Sequence, residues 1–364
     1  PLVFFAAGDG EVRLENLVPT SAMPYNNVAR KHFDSGDYPR SLLIAKEKIR
    51  FEEWRKRQRE GPLEDGRLIG IGFASYCEQS AHGTSVFAAW GLPIVPGYDQ
   101  AAVRVTPDGG LEVRVGVHSH GQGMETTLAQ IAHEVIGIPV AQVQVTHGDT
   151  GTTPFSTGTY ASRSIVMAGG AVANACRTLI PRFVRIGAHL LGCTPEEATF
   201  EAGRVIGPKG SLTVADVASA WYKRPDKLPK DVDMGGLEAV VGFRPKVDSG
   251  VFSYASHAAM YEEVQYDANG QPNASTLAVF KDTATTEIPS FRIYHLESPS
   301  PYTEFGIKGM GEGGAIAPPA VIFNGVNDAL KHLGVEVSQT PLTPRKVLEG
   351  IERAKADQPK RRAA

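Results

Sequence analysis

The sequence predicts an α+β fold of two lobes, each a mixed, largely antiparallel sheet packed with long helices. Three observations carry this. Short runs of alternating apolar residues come in pairs around Gly- and Pro-bearing turns, as antiparallel hairpins do. Segments with helical periodicity stand in long separate pieces and do not alternate strand by strand. The chain has 364 residues, 42% hydrophobic and 21% charged, which is enough for two ordinary globular lobes.

The elements follow in order. Residues 1–65 read as a connector, broken by Pro19, Pro24 and Pro39, with a charged surface helix over 42–59 that Gly61 and Pro62 end. A first lobe, 66–235, opens with a strand over 68–76. Strands at 101–105 and 111–117 form a hairpin through Pro107-Asp-Gly-Gly110. A helix capped by Thr126 or Thr127 carries Leu128, Ile131, Ala132 and Val135 on one face, and Gly137 and Pro139 stop it. A strand at 143–146 precedes a polar loop. From about Ala161 a helix runs past Ala175 with small or apolar residues on nearly every face, which predicts burial. Gly169 and Gly170 admit close packing there, and Pro181 kinks or ends the helix. A short strand at 200–206 and a Thr213-capped helix with Trp221 on its apolar face complete the lobe.

Residues 223–237 read as a linker. A second lobe, 236–350, has strands at 238–243, 252–259, 260–266 and 291–296, with a turn at 267–270. Pro318 opens a helix that Gly334 closes, and Thr343 and Pro344 start a short one. Residues 351–364 are a basic tail.

Composition excludes some functions. A net charge of −3 gives no electrostatic case for nucleic acid or an anionic membrane surface. No apolar run reaches the roughly 18 residues of a membrane span. The opening seven residues are short and lack a basic region, so they do not read as a signal peptide. Cys77, Cys176 and Cys193 are widely spaced with no CxxC, which argues against zinc or iron–sulfur ligation and for a reducing, cytoplasmic compartment.

Three segments carry candidate chemistry. In 305–314, Glu312 stands alone among five glycines before a proline-started helix. Bare backbone lets such a carboxylate face a ligand, or the run is simply a solvated turn. His118-Ser-His-Gly-Gln-Gly-Met-Glu-Thr126 joins a strand to a helix N-terminus, where free N–H groups favour anionic or polar ligands. Gln122 between glycines offers a donor and an acceptor, unless it is merely solvated. Thr157-Gly-Thr-Tyr-Ala-Ser-Arg-Ser164 is a second loop-to-helix junction, whose hydroxyls serve either as caps or as ligand contacts. His118 and His120 share a strand face but lack a third metal ligand. Asp149 beside His147 is a candidate acid–base pair, and Tyr76, Phe87 and Trp90 are candidates to line a pocket or the core.

Taken in order, Gly121-Gln-Gly-Met-Glu-Thr-Thr-Leu-Ala-Gln-Ile131, Gly158-Thr-Tyr-Ala-Ser-Arg-Ser164 and Pro301-Tyr-Thr-Glu-Phe-Gly-Ile-Lys-Gly-Met-Gly-Glu-Gly-Gly314 resemble the molybdenum-binding large subunit of the xanthine oxidase family. The nearest branch is that of aerobic carbon monoxide dehydrogenase-like proteins, and residues 27–38 resemble it too. The resemblance implies a molybdopterin cofactor, in its cytosine dinucleotide form, held between the lobes. It assigns cofactor contacts to His120, Gly121, Gln122, Gly123, Tyr160, Ala161, Ser162, Ser164 and Gly311, and the catalytic base to Glu312, with no metal ligand from the chain itself. It also implies hydroxylation of an aldehyde, N-heterocycle or small carbonyl compound with water-derived oxygen.

Implied partners are a 2Fe–2S subunit and an FAD subunit, in an oligomer. Family members carry an N-terminal molybdenum lobe without counterpart upstream of Glu11, and an extra segment where Ala259 here runs directly into Met260. The alternative is therefore a catalytically incomplete remnant, or a scaffold half that needs another chain, such as a separate N-terminal molybdenum lobe, to form the site.

Overall fold

Two sheets organise the chain, and each joins strands far apart in sequence. The computed structural model describes residues 2–4, 14–261, 290–339 and 342–362. In chain order the elements are β1 (Leu2–Phe4), β2 (Tyr25–Asn26), β3 (His32–Phe33), α1 (Tyr38–Lys48), α2 (Phe51–Arg59), β4 (Gly70–Ser80), α3 (Thr84–Ala89), β5 (Asp99–Val105), β6 (Leu111–Val115), α4 (Met124–Ile136), β7 (Val143–Thr146), α5 (Ser164–Leu191), β8 (Thr199–Glu201), β9 (Arg204–Gly207), β10 (Gly210–Thr213), α6 (Val214–Lys223), β11 (Glu238–Phe243), β12 (Val251–Tyr261), α7 (Gly313–Ile316), α8 (Pro318–Leu330) and α9 (Pro344–Arg362). The fold is α+β.

One sheet has the order β1-β4-β12, with β4 paired antiparallel to both neighbours. The two-residue period of β4 decides what lies on each face. Ile71, Phe73 and Cys77 pack with Leu42, Phe51 and Phe252, beneath α1 and α2. Ala74 and Tyr76 pack with Ala320 and Val321 of α8. A Cβ on Gly70 or Gly72 would stand 2.0 Å from a carbonyl oxygen of α8, so bare backbone lets that helix lie directly on the strand.

The other large sheet has the order β11-β5-β6-β7. The β5–β6 hairpin turns where its sequence predicts, and α4 crosses over to lay β7 parallel to β6. α5 covers this sheet. Ile131 of α4 and Phe243 of β11 press against Gly169 and Gly170, where an added Cβ would meet them at 2.7 and 2.4 Å. Strands β8, β9 and β10 form a small third sheet beside α6.

Several expectations change. Residues 42–59 are not one surface helix. Arg50 adopts φ 57 and separates α1 from α2, and Leu42 and Phe51 are buried. Gly123, not a threonine, caps α4, in the left-handed conformation. Pro181 lies inside α5 without ending it. Its cost of about 3 kcal/mol is offset by burying Leu179, Phe183 and Ile186, at about 1.5–3 kcal/mol each.

The boundary expected at 236 does not divide the sheets either. β11 returns to pair with β5, and β4, grouped by sequence with the first lobe, is the centre of the other sheet. Residues 251–261 form one strand, so the Ala259–Met260 junction lies within a continuous ladder. Residues 291–296 are not a strand, and Phe291 and Ile293 are exposed. The basic tail continues α9 to Arg362. The turn at 267–270 lies outside the described residues, as does 262–266 of the strand expected at 260–266.

Candidate active site

Three loops meet where the two large sheets adjoin, and they are the three segments the sequence singles out. The first follows β6. Gly121 and Gly123 adopt φ 90 and 75, and Gly123 starts α4. The second runs from β7 to α5, and the third precedes α7.

Thr159 joins the first two loops. Its hydroxyl accepts from His118 N–H at 2.9 Å and donates to His118 O at 2.6 Å, and Ser164 donates to it at 3.1 Å. Ser162 joins the second loop to the third. Its Oγ accepts from the backbone N–H of Glu312 at 3.1 Å. A Cβ on Gly309 would stand 1.7 Å from Ser162 O, so the bare backbone at 309 is what allows this contact. Ala161 and Ser162 both hold positive φ, 48 and 50, consecutive strained residues of the kind that cluster at functional sites.

A buried ion pair fixes the second loop. Arg163 reaches Asp99 at 2.8 Å, and these side chains are 1% and 0% exposed. Arg163 also donates to Gly158 O and Tyr98 O, and Ser156 donates to Asp99. Tyr160 lies over the Arg163 guanidinium and bonds Thr157.

The third loop rests on the β4–β12 sheet. Ser80 Oγ accepts from Gly309 N–H, and Ser253 donates to Gly309 O at 2.6 Å. Lys308 is anchored on Ser35 and on Phe252 O, with Asp34 at 3.4 Å. Burial holds the Lys308 ammonium below the usual lysine range, against the pull of Asp34.

Each expected residue can now be placed. Gly121, Gln122, Gly123, His120, Gly311 and Glu312 are exposed; Tyr160, Ala161 and Ser162 are half-buried. Gln122 does not offer both ends of its amide outward, because its Oε1 accepts from His120 N–H within its own loop. Ser164 is buried with its hydroxyl turned to Thr159. His147 pairs with Glu125 at 2.9 Å and with His118 at 3.1 Å, not with Asp149, whose Oδ1 accepts from Gly151 N–H. Its hydrogen bond to His147 holds the Glu125 carboxyl below the usual range. Phe87 meets Tyr160 edge-on and packs with Trp90 and His82, whereas Tyr76 lies apart, against His257. Among the described residues, no three His, Cys, Asp or Glu side chains gather as a metal site.

A family model described as "Molybdopterin cofactor-binding domain" matches residues 44–269, more than half of the chain. The chain belongs to this molybdopterin cofactor-binding family. It is related to the molybdenum-binding large subunits of the xanthine oxidase type, as its motifs imply. It is 29% identical to the nicotine 6-hydroxylase large subunit of Paenarthrobacter nicotinovorans, over 94% of this chain and 47% of that protein. It is 27% identical to the carbon monoxide dehydrogenase large chain of Hydrogenophaga pseudoflava, over 94% of this chain and 48% of that one. The structure of quinoline 2-oxidoreductase from Pseudomonas putida 86 superposes with a TM-score of 0.78 at 30% identity, covering 91% of this chain and 48% of that one. The chain thus spans about half the length of the curated relatives it matches.

The loops suit the family's cofactor. A flat, polar-edged pterin needs donors at backbone level with no side chain in the way. A Cβ added at Gly121, Gly123 or Gly158 would meet nothing within 4 Å. Among the described residues, the N–H groups of Gln122, Tyr160, Ala161 and Ser162 donate no hydrogen bond. These residues fit a molybdopterin group.

The sequence names Tyr76 as a candidate but not Glu78 or Ser80, which complete the floor of the site. Tyr76, Glu78 and Ser80 share one face of β4, beneath the Glu312 turn. Glu78 is buried, and burial pushes its carboxyl above the usual range. Burial, then Glu78, push the Tyr76 hydroxyl up to about 12. The alternation of β4 was a sufficient signal: Gly70, Gly72, Ala74, Tyr76, Glu78 and Ser80 lie on one side.

Proposed function

We propose that this chain is the cofactor-binding part of a molybdenum hydroxylase large subunit, with Glu312 as its proton acceptor. The observation that carries the reading is the Glu312 N–H bond to Ser162, which ties the lone carboxylate to the strained loop whose free N–H groups suit a pterin. The molybdopterin, proposed in its cytosine dinucleotide form, supplies when bound the redox chemistry that adds a water-derived oxygen to an electron-poor carbon.

The chain's own residues bind and orient. Gln122 and residues 160–162 would hold the pterin edge through backbone N–H donors, with Gly121 and Gly123 keeping that backbone bare. The Glu312 carboxylate takes the proton that oxygen transfer releases, the work one positioned carboxylate can do. The substrate class is an aldehyde, N-heterocycle or small carbonyl compound, and relatives named for nicotine and quinoline favour the N-heterocycle. An iron–sulfur subunit and an FAD subunit would carry the electrons away, in a cytoplasmic oligomer.

A second reading makes the chain a scaffold half whose pocket another chain completes. The exposure of Gln122, Gly123 and Glu312 favours it. Molybdenum and pterin content of the purified chain separates the two readings. Equimolar metal and pterin support autonomous binding. Their appearance only with an added molybdenum lobe supports the scaffold reading, and their absence in both cases contradicts the proposal.

A further inference from the structure

Glu78 lies where the Glu312 turn meets the central sheet, and it is 2% exposed. Its neighbours on that face have partners. Ser80 accepts from Gly309 N–H, Ser253, directly opposite Glu78 on β12, donates to Gly309 O, and Tyr76 bonds His257. A Cβ on Gly313 would stand 2.6 Å from Tyr76 Oη and 3.6 Å from Glu78 Oε2, so the turn sits directly on these groups. Neither Glu78 oxygen has a hydrogen bond of normal geometry among the described residues.

The groups facing Glu78 are the Ser162 hydroxyl, Tyr76, and the backbone N–H and carboxylate of Glu312. The Glu312 N–H is already given to Ser162 Oγ. The Ser162 hydroxyl hydrogen is given to nothing among the described residues. A buried, unassigned acceptor therefore faces an unassigned donor, and leaving the buried acceptor unmet is expensive.

We propose that Glu78 is a positioning residue for Glu312: its buried carboxyl accepts the Ser162 hydroxyl and so fixes the oxygen on which the Glu312 N–H rests. The inference rests on Glu312 being the proton acceptor, and it adds a residue outside the three loops. Burial, and further the charge of Glu312, push the Glu78 carboxyl above its usual range. A carboxyl group accepts through an oxygen whether or not it is protonated.

Glu78→Gln keeps an acceptor of the same shape, and Glu78→Leu removes it. Hydrogen exchange on the full chain is the first test. Exchange across 309–314 should rise about tenfold in Glu78→Leu, as for one lost hydrogen bond, and stay near wild type in Glu78→Gln. Ser162→Ala should give the same rise, which keeps the test open if the leucine variant fails to fold. In the assembled enzyme Glu78→Leu should lower kcat about tenfold, with KM and molybdenum content unchanged, and Glu78→Gln should restore it.

Unchanged exchange in both the leucine and alanine variants overturns the proposal, as does a glutamine variant as impaired as the leucine one. The exchange measurement needs no cofactor. Missing molybdenum would defeat the functional reading while leaving the Glu78–Ser162 contact measurable.

Discussion

Glu312 and Ser162, 150 positions apart, are joined by one hydrogen bond: the Glu312 N–H donates to Ser162 Oγ at 3.1 Å. Ser162 holds a left-handed backbone that a serine keeps only when its surroundings enforce it. The glycine at 309 permits the approach. The bond makes the carboxylate turn and the 157–164 loop a single unit, so a change that moves one moves the other.

Gly309→Ala tests that unit. Its Cβ would meet the Ser162 carbonyl oxygen at 1.7 Å, and backbone cannot rotate away as a side chain can. The variant should lose about 1–3 kcal/mol of stability and uncouple the turn from the loop. Gly314→Ala, which meets nothing within 4 Å, should fall within about 0.5 kcal/mol of wild type in the same chemical denaturation.

Arg163 and Asp99 form a pair hidden from water. Removing one partner strands the other. Arg163→Met should cost about 3–5 kcal/mol, measured by denaturant unfolding. The double variant with Asp99→Asn should cost less than the sum of the single ones, because no charge is left alone.

Much of the candidate site's backbone geometry was legible because its signals sit in local sequence. The glycine runs at 121–123 and 309–314 and the hydroxyl-rich 157–164 segment mark backbone that must bend or approach closely, and the loops use them so. What failed was non-local. Nothing near Glu238 announces that β11 returns to β5, since alternation gives a strand a face but not a partner. Arg50 carries no glycine or proline signal, yet it breaks 42–59 into two helices. Glu78 falls just past the strand expected over 68–76, so its place on that strand's face was not read. Its importance comes from a turn more than 200 residues later.

Glu78 also gives a pH signature. Its folded-state pKa is raised by burial, and further by the charge of Glu312. The stability it contributes is fully present below the unfolded carboxyl value of about 4.3 and is lost as pH rises through the folded-state value. Glu78→Gln has no proton to lose. The melting temperature of the variant minus that of wild type should grow as pH rises above about 4.3; a difference independent of pH would contradict the assignment.

Lys308 ties the same turn to the connector through Ser35, Phe252 and Asp34. Lys308→Met leaves Asp34 buried beside an apolar chain and should cost about 3–5 kcal/mol. Adding Asp34→Asn should recover part of that loss in thermal unfolding.

The central claim is that Glu312 takes the proton at a molybdopterin site. Glu312→Gln in the assembled enzyme, assayed for turnover with molybdenum and pterin content measured on the same sample, tests it most directly. The account predicts unchanged cofactor content with turnover reduced at least 10²-fold, roughly the contribution of a positioned general base. Turnover near wild type with the cofactor in place would contradict it.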